Sequence, residues 1–217
     1  MGITERRERE KRNRQDLALK AAIELYNEEG YHAITMEKIA ERSELSRAAL
    51  YLYFKTKDEI FISAIVASTN YFEEILQDFY DRRESIKERL LEELWECFWI
   101  FYQKDPVTFN ASLYFHQSEI IRNLSEDQRD RLYESGSRVV RLQHKIIKYG
   151  VDEGIFIKCN HMTLTEVIWT CFFGITQLER SKQVVSRKNH LEITQDLAIK
   201  VLTRGIVRKG PNNKKPI

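Results

Sequence analysis

The chain has 217 residues, of which 42% are hydrophobic and 31% charged, so it can bury the core of one large domain, or of one domain with a small appendage. No apolar run is long enough to span a membrane, and the charged start MGITERREREKRNRQ lacks the apolar stretch of a secretory signal. We therefore expect a cytoplasmic protein with no membrane partner. The three cysteines are odd in number and far apart, which argues against a disulfide framework and against a zinc site.

The net charge of +2 is unevenly distributed along the chain. Residues 1–57 hold 12 basic and 10 acidic side chains, residues 58–140 hold 9 and 17, and residues 141–217 hold 14 and 6. The acidic middle is typical of solvated helix faces and does not by itself indicate a partner.

Helices account for most of the predicted structure, because the chain has only eight glycines and three prolines and almost no alternation of β-branched residues. The pattern therefore predicts an all-α protein with about nine helices. Their predicted ranges are 13–29, 36–43, 47–53, 57–82, 86–104, 106–119, 126–151, 164–182 and 188–208.

Capping residues mark the predicted helix starts and stops. Thr35 and Ser46 are suited to cap the second and third helices, and Asp105 precedes a proline suited to the first helical position. The pattern Ser/Thr-x-x-Glu/Gln, which forms a capping box, begins at four further positions. These positions are Thr56, Ser85, Ser125 and Thr163, and the predicted helix stops are Gly30, Gly150 and Gly154.

The first three predicted helices are short and closely spaced, whereas the later ones are long. This change in length predicts a small N-terminal domain over residues 1–56 and a larger helical bundle over residues 57–208. The last nine residues, 209–217, have the sequence KGPNNKKPI. They hold two of the three prolines and almost no apolar side chain, so we expect a disordered tail.

The second and third helices are joined by the tight turn Ser43-Glu44-Leu45, which is the layout of a helix-turn-helix. In that motif the second helix enters the major groove of DNA with its N-terminus first. Small residues at 48 and 49 would let the helix approach the base edges. The predicted core of the three helices consists of Leu17, Ala18, Ala21, Ala22, Leu25, Ile39, Ala40, Leu45, Leu50 and Phe54.

Residue types around the third helix suit the chemical groups that DNA presents. Arg47 is suited to bind guanine, and the Ala49 methyl group is suited to contact thymine methyls. Thr35 and Ser46 place hydroxyls beside free backbone amides at helix N-termini, which suits phosphate oxygens. The set is completed by Tyr51, which suits a phosphate or a base methyl, and by Tyr53 and Lys57, which would clamp the DNA backbone. In the alternative interpretation the two tyrosines pack at the domain junction.

The stretch from Thr35 to Ala40, T-x-x-x-I-A, followed by SELSRAALYLYFKTKDEI from Ser43 to Ile60, resembles the DNA-binding signature of the TetR family of transcriptional regulators. The resemblance implies an all-α homodimer whose N-terminal helix-turn-helix binds a palindromic operator. It also implies C-terminal helices that dimerise and hold a small-molecule inducer, and by position it implies the same DNA-contacting set. Two departures are Glu44, where the family usually has glycine in the turn, and the Ala48-Ala49 pair, where it usually has Gly-Thr.

The charged run ERREREKRNR at residues 5–14 mixes both signs with an excess of arginine. It is typical of a solvated helix start, and it is equally suited to follow a DNA backbone or to enter a minor groove.

Aromatic side chains are dense between residues 94 and 115, LWECFWIFYQKDPVTFNASLYF. Helical spacing places most of them in a bundle core, but together they are also suited to line an apolar ligand cavity with a few polar groups. We predict that such a cavity holds a small hydrophobic effector, with His116 as the foremost polar group. The predicted ligand-contacting residues are Trp99, Tyr102, Phe115, His116, Trp169 and Phe173.

The last two predicted helices carry apolar faces broad enough for an internal core and a partner helix, so we expect a homodimer through residues 164–208. The residues that form these apolar faces are Ile168, Cys171, Phe172, Ile175 and Leu178, with Leu191, Thr194, Ala198, Val201 and Leu202.

Three classes of function remain open from the sequence. The leading one is a ligand-responsive DNA-binding repressor without a cofactor. An enzyme that uses the aromatic cavity is disfavoured, because the sequence shows no paired nucleophile and base, no metal-spaced cluster and no phosphate-binding loop. A helical protein-interaction module would leave Ser46, Arg47 and Lys57 without a shared task.

Overall fold

The computed structural model describes residues 2–117, 124–186 and 189–208, without the side chains of residues 3, 112–117, 184 and 186. Within these ranges the chain forms nine α-helices and no β-strand, which confirms the predicted all-α class. None of the described helices is both long enough and apolar enough to cross a membrane. The helices are α1 (Ile3–Glu29), α2 (Met36–Arg42), α3 (Arg47–Tyr53), α4 (Lys57–Arg82), α5 (Leu90–Lys104), α6 (Pro106–Gln117), α7 (Glu126–Asp152), α8 (His161–Ser186) and α9 (Leu191–Ile206), with 3-10 turns at Tyr31–Ala33 and Lys87–Arg89.

The chain divides into two compact units. Unit 1 joins the residues up to Tyr71 with Asp105–Gly136, and unit 2 joins Phe72–Lys104 with the residues from Ser137 onward. Helices α1 to α3 and α6 therefore belong to unit 1, helices α5, α8 and α9 belong to unit 2, and α4 and α7 contribute residues to both. The domain boundary at residue 56 stays a prediction, and the predicted tail over residues 209–217 lies outside the described residues.

Unit 1 forms because α1 presents one apolar face to the short helices that follow it. The predicted core positions are buried with two exceptions, since Leu45 is half-buried and Leu17 is 49% exposed. The prediction for Leu17 is wrong because the packed face of α1 runs through the smaller side chains of Ala18 and Ala21, one step round the helix. Helix α4 completes the core with Ile60, Phe61, Ile62, Ala64 and Ile65.

Helix α1 begins at Ile3, earlier than the predicted start near residue 13. The additional turns bury no described side chain, because residues 4–14 are all exposed. Ion pairs one turn apart support them, Arg6 with Glu10 at 3.0 Å and Arg12 with Glu8 at 4.0 Å. The mixed charge of residues 5–14 therefore indicates a helix.

Side-chain caps at several predicted helix starts are confirmed. The Thr35 hydroxyl accepts from the Lys38 amide at 3.3 Å, and the Asp105 carboxylate accepts from the Thr108 amide at 2.9 Å. Ser125 and Gln128 form the reciprocal capping box, with distances of 3.3 and 2.9 Å.

At the other three predicted capping boxes, either the helix start or one of the two cap hydrogen bonds differs from the prediction. The Ser85 hydroxyl donates to the Arg82 carbonyl, and α5 begins only at Leu90 after a 3-10 turn. Helix α8 starts before Thr163, because the Asn160 side chain accepts from the amides of residues 162 and 163. The Thr56 hydroxyl accepts from the Glu59 amide at 3.2 Å, but the Glu59 carboxylate accepts from the Lys55 amide instead.

Unit 2 packs α5, α8 and α9 with parts of α4 and α7. Gly150 does not end α7 as predicted, since the helix continues to Asp152 and the chain turns at Gly154 with φ 68°. Gly150 instead makes room for a ring, because a Cβ at this position would lie 2.3 Å from the Phe156 side chain. Phe156 is fully buried and closes this end of unit 2.

Candidate functional site

The turn between α2 and α3 in unit 1 is a Schellman motif with glutamate in the position that favours glycine. The Leu45 amide donates to the Ala40 carbonyl at 2.9 Å, and the Glu44 amide donates to the Glu41 carbonyl at 3.1 Å. Glu44 has φ 56°, and among the described residues no other non-glycine residue has positive φ. The buried Ser43 hydroxyl donates to the Ile39 carbonyl at 2.6 Å. The predicted tight turn is thus confirmed, and its left-handed residue costs about 1 kcal/mol because glutamate carries a Cβ.

Helix α3 is anchored on one side and open on the other. The Ser46 hydroxyl caps it by accepting from the Ala49 amide at 3.1 Å. Leu50 is fully buried in the unit 1 core, whereas Arg47, Ala48 and Tyr51 are exposed. A short helix held in this way offers its N-terminal end and one face to a partner.

Leu52 on α3 is 78% exposed, and sequence reasoning did not select it. The run LYLYF suggests a buried segment, because all five of its residues have large apolar or aromatic side chains. Only the helical angle between Leu50 and Leu52, about 200°, indicates that one faces the core and the other faces away.

Arg47 lies near an acidic residue of α2 in the unbound protein. Its guanidinium is 3.6 Å from the Glu37 carboxylate, and the Arg47 side chain is 68% exposed. Hydrogen bonds from the Glu37 backbone amide and from Thr35 lower the pKa of Glu37, and the charge of Arg47 lowers it further. An exposed pair at this distance is weak, so Arg47 is free to exchange the carboxylate for a base edge.

Lys57 begins α4 and bonds to the 3-10 turn before α2. Its ammonium group donates to the carbonyls of Tyr31 and Ile34, each at 3.0 Å, and lies 4.3 Å from the centroid of the Tyr31 ring. The Tyr31 hydroxyl donates to the Asp58 carboxylate. Burial lowers the pKa of Lys57 and raises the pKa of Asp58.

These contacts give Lys57 a structural task that sequence reasoning missed, while its predicted phosphate contact stays a prediction. An ammonium group has three N–H donors, and two are used by the carbonyls.

All seven predicted DNA-contacting residues lie in unit 1. Thr35, Ser46, Arg47 and Tyr51 are exposed, and Ala49, Tyr53 and Lys57 are half-buried.

Unit 2 holds a cluster of aromatic rings in direct contact. Phe72 stacks on Phe101 with centroids 4.2 Å apart, and Phe98 meets the edge of Trp169 at 5.1 Å. Phe172 is fully buried and lies 5.5 Å from Phe98. Most of the aromatic run of α5 is therefore core, as its helical spacing predicts.

Four of the six predicted ligand-contacting residues lie at the edge of this aromatic cluster and are half-buried. Trp99 stacks on Tyr102 at 5.7 Å, and Phe173 lies 5.7 Å from Trp169. Burial raises the pKa of the Tyr102 hydroxyl, and the charge of Arg180 partly opposes this rise. Arg180 is thus a polar group near these rings that sequence reasoning missed. The side chains of the other two residues, Phe115 and His116, lie outside the described residues.

Helices α8 and α9 in unit 2 each expose an apolar strip. On α9, Ile193, Leu197 and Val201 are exposed at successive turns, at 71, 62 and 59%. On α8, Leu178 is exposed, and a Cβ added at Gly174 would meet no atom within 4 Å. Several residues of the predicted apolar faces form the internal core, because they pack within unit 2. These are Ile168, Phe172 and Leu191.

Reactive groups are sparse in the part of the chain that the structure describes. No three His, Cys, Asp or Glu side chains in these ranges are grouped so that they could hold a metal ion. Burial raises the pKa of the Cys97 thiol to about 12, so this thiol stays protonated at neutral pH.

Known proteins resemble both the motif and the whole fold. The family model described as bacterial regulatory proteins, tetR family, matches residues 18–64. A fatty acid metabolism regulator protein of Bacillus subtilis (strain 168) is 32% identical over 82 residues, which are 38% of this chain and 42% of that protein. The HTH-type transcriptional repressor NicS of Pseudomonas putida is 30% identical over 147 residues, 65% of each chain. The matches thus span less than two thirds of the length of these curated relatives.

The solved structure of the TetR family transcriptional regulator PfmR from Thermus thermophilus shares the fold. It is 20% identical and superimposes with a TM-score of 0.67, over 89% of this chain and 96% of that one. The model match includes α2, the Schellman turn, α3 and the start of α4, so the most specific part of the similarity lies in the candidate DNA-contacting region. In this motif and in its fold, the chain thus resembles the tetR family of bacterial regulatory proteins.

Proposed function

We propose that the protein is a dimeric repressor of transcription that binds a palindromic DNA operator in the cytoplasm and leaves it when a small apolar molecule binds. The observation that carries the proposal is the state of α3, which is capped by Ser46, anchored by Leu50 and exposed along the side that holds Arg47. Arginine near the N-terminus of such a helix is the residue type that reads guanine in the major groove.

Phosphate contacts would flank this base contact. Thr35 and Ser46 are both exposed, and both stand at helix N-termini where backbone amides favour an anion. Tyr51 is 41% exposed, so its hydroxyl and ring are both available to DNA. Contacts of this kind position a protein on the duplex, whereas Arg47 would supply the sequence preference.

The exposed strips of α8 and α9 support a homodimer. Ile193, Leu197 and Val201 recur every four residues, and the missing side chain at Gly174 would allow a close approach by a second chain. Two copies are what a palindromic operator requires, since its half-sites lie about 34 Å apart on one face of the duplex.

Apolar chemistry is the common feature of the proposed effector site. Trp99, Tyr102, Trp169 and Phe173 are half-buried at the edge of the aromatic cluster, and Arg180 adds one positive charge near Tyr102. This combination suits an elongated or flat apolar compound with at most one acidic group. The name of the Bacillus subtilis relative, a fatty acid metabolism regulator protein, supports the same chemical class.

Helix α4 is the proposed transmitter of the ligand signal. It starts in unit 1, where Lys57 bonds to the turn before α2, and it carries Phe72 of the aromatic cluster in unit 2. A ligand that repacks the ring of Phe72 would shift the helix and so the spacing of the two α3 helices. A 100-fold preference for the shifted state supplies about 2.7 kcal/mol per site, so the two sites of a dimer together supply the roughly 5.5 kcal/mol that moves a two-state equilibrium from 1:99 to 99:1.

Selection from a random duplex library tests the proposal, because it finds a preferred sequence without a known operator. We expect enrichment of a palindrome and binding of two chains per duplex. Hydrophobic compounds are then screened for quenching of tryptophan fluorescence together with release of the selected duplex. No enrichment of any sequence would reject the regulator. Release by polar, charged metabolites alone, or no compound that couples the two signals, would reject the apolar effector.

A further inference from the structure

The first three turns of α1 carry a stripe of basic side chains without acidic partners. Among the described residues, no carboxylate pairs with Arg7, Lys11 or Arg14, although two neighbouring arginines are engaged by Glu8 and Glu10. The three free cations are spaced by four and three residues, which places them on one side of the helix.

This basic stripe continues the face by which α1 packs in unit 1. At 3.6 residues per turn, the stripe and the buried residues Ala18 and Leu25 fall within a sector of roughly 60°. Helix α2 lies on the same side, because Glu28 bonds to Arg42 and Glu29 bonds to Lys38 of α2. In a helix-turn-helix, the first helix of the motif crosses the DNA backbone, so the stripe is directed to the side where a backbone would lie.

The helical state decides between the two uses that the sequence left open for this run. A helix with its side chains is about 10–12 Å wide, whereas the minor groove is about 6 Å wide, so α1 does not fit into that groove. The distance along α1 from Arg7 to Arg14 is about 10 Å, a length of duplex that holds roughly three phosphates on each strand. The spacing of the three basic residues and the width of α1 therefore favour contact with the phosphate backbone on the outside of the duplex over insertion into the minor groove.

A second copy of the chain is a poor partner for this stripe. Positions spaced by four and three residues form the seam of a coiled coil only when they are apolar, and here all three are positively charged. Two such stripes would repel each other, whereas a polyanion would neutralise them.

We propose that Arg7, Lys11 and Arg14 bind the phosphodiester backbone of the DNA that flanks each half-site, as an extension of the DNA-binding surface beyond the helix-turn-helix. This inference rests on the proposed function for the operator, but the contact itself is independent of sequence. It adds about three phosphate contacts per protomer and makes binding more dependent on salt and on the length of the flanking DNA.

The test compares two variants that lose the same charge. The stripe variant is Arg7→Gln/Lys11→Gln/Arg14→Gln, and its matched control is Arg6→Gln/Arg9→Gln/Arg12→Gln, which removes three arginines from the other sides of α1. Affinity for a selected duplex with long flanks is measured over a range of salt concentrations, and circular dichroism verifies the helix content of both variants. Each lost phosphate contact lowers the magnitude of the slope of log K against log salt by about 0.9. The slope should therefore fall by about 2 to 3 per protomer in the stripe variant and by less than 1 in the control.

Shortened duplexes provide the second readout. Removal of the base pairs outside the half-sites should weaken the wild-type protein at least tenfold and leave the stripe variant nearly unchanged. Equal slopes for the two variants, or equal sensitivity to flank length, would overturn the inference. Loss of binding to anionic phospholipid vesicles in the stripe variant, with an unchanged DNA slope, would assign the stripe to a membrane surface and overturn it as well. If selection yields no specific duplex, the proposed function fails, while the slopes on a long nonspecific duplex still decide the stripe.

Discussion

Helices α3 and α9 both expose apolar side chains, but they differ in what surrounds those side chains. On α3, Leu52 is next to the exposed Tyr51 and on the same short helix as Arg47 and the Ser46 hydroxyl. On α9, exposed apolar residues follow one another at each turn and form a continuous strip. Mixed donors and methyl groups suit the base edges and phosphates of DNA, whereas a continuous apolar strip suits another protein helix.

The comparison teaches that exposure alone does not identify a partner. An exposed leucine is ordinary on a protein surface, and only its neighbours indicate what it contacts. The same reasoning separates the aromatic residues of the two units, since Tyr51 stands in solvent while Phe98 is enclosed by other rings. The predictions below test whether the surfaces and the cluster have these separate tasks.

The largest effect is expected in the aromatic cluster. Phe98→Ala should lower the free energy of unfolding by about 3–5 kcal/mol, because a buried ring in contact with Phe72 and Trp169 leaves a cavity. Trp99→Ala, at the next position, should cost less stability because Trp99 is only half-buried. Thermal and denaturant unfolding of both variants measure the difference.

Ligand binding by the Trp99→Ala variant tests whether Trp99 contacts the effector. Trp99→Ala should keep the fold and DNA binding but lose the coupled fluorescence and release signals. If the Trp99→Ala variant were as unstable as Phe98→Ala, Trp99 would be core and its proposed ligand contact would be wrong.

The apolar strip of α9 gives the next largest effect. Leu197→Glu should dissociate the dimer, because a charge in an apolar interface is costly, and the monomer should bind the full palindrome at least 100-fold more weakly, or about 2.7 kcal/mol. Tyr133→Glu is the matched control, since Tyr133 is 75% exposed and lies on α7. Sedimentation and gel shift report the two quantities, and a dimeric Leu197→Glu variant with native DNA affinity contradicts the assignment.

Substitutions of two basic residues of unit 1 should weaken DNA binding in two different ways. Arg47→Ala should relax the base preference at one position of each half-site, by about 1–3 kcal/mol. Lys57→Ala should weaken binding to every sequence alike, and it should also lower the melting temperature, because the carbonyls of Tyr31 and Ile34 each lose one hydrogen-bond donor. Binding to a panel of single-base operator variants distinguishes them, and an equal loss of discrimination in both variants would remove Arg47 from the base-reading role.

The local parts of this structure were predictable from the sequence. The caps at Thr35 and Ser46 and the turn at Glu44 depend on residues within a few positions of each other, so short patterns specify them. The family resemblance was also visible in the sequence, because it lies in these same residues. A local residue also explains the error at Thr163, since Asn160 caps α8 ahead of it by accepting from the amides of residues 162 and 163.

The parts that depend on distant residues could not be predicted. The inward direction of Lys57 requires carbonyls 23 and 26 residues earlier in the chain. Likewise, the positions on α8 and α9 that face outward depend on how these helices pack, and periodicity alone did not separate the buried Leu191 from the exposed Val201 and left Leu197 unassigned. Such contacts follow from tertiary packing, which a single sequence does not reveal.

The smallest effect concerns the turn between α2 and α3. Glu44→Gly should raise the free energy of unfolding by about 0.5–1 kcal/mol, because glycine adopts φ 56° without steric strain, although its freedom in the unfolded chain offsets part of the gain. The change should also strengthen DNA binding at low salt, since it removes a negative charge beside the proposed DNA-binding helix α3. Glu41→Gly is the matched control: it removes the same charge from the last turn of α2, where the chain is helical and glycine costs up to about 1 kcal/mol. Denaturant unfolding at one salt concentration and DNA binding at several separate the two contributions. If both variants lose stability, Glu44 makes a favourable contact that outweighs its backbone strain; if both gain DNA affinity equally, the gain reflects charge and not the geometry of the turn.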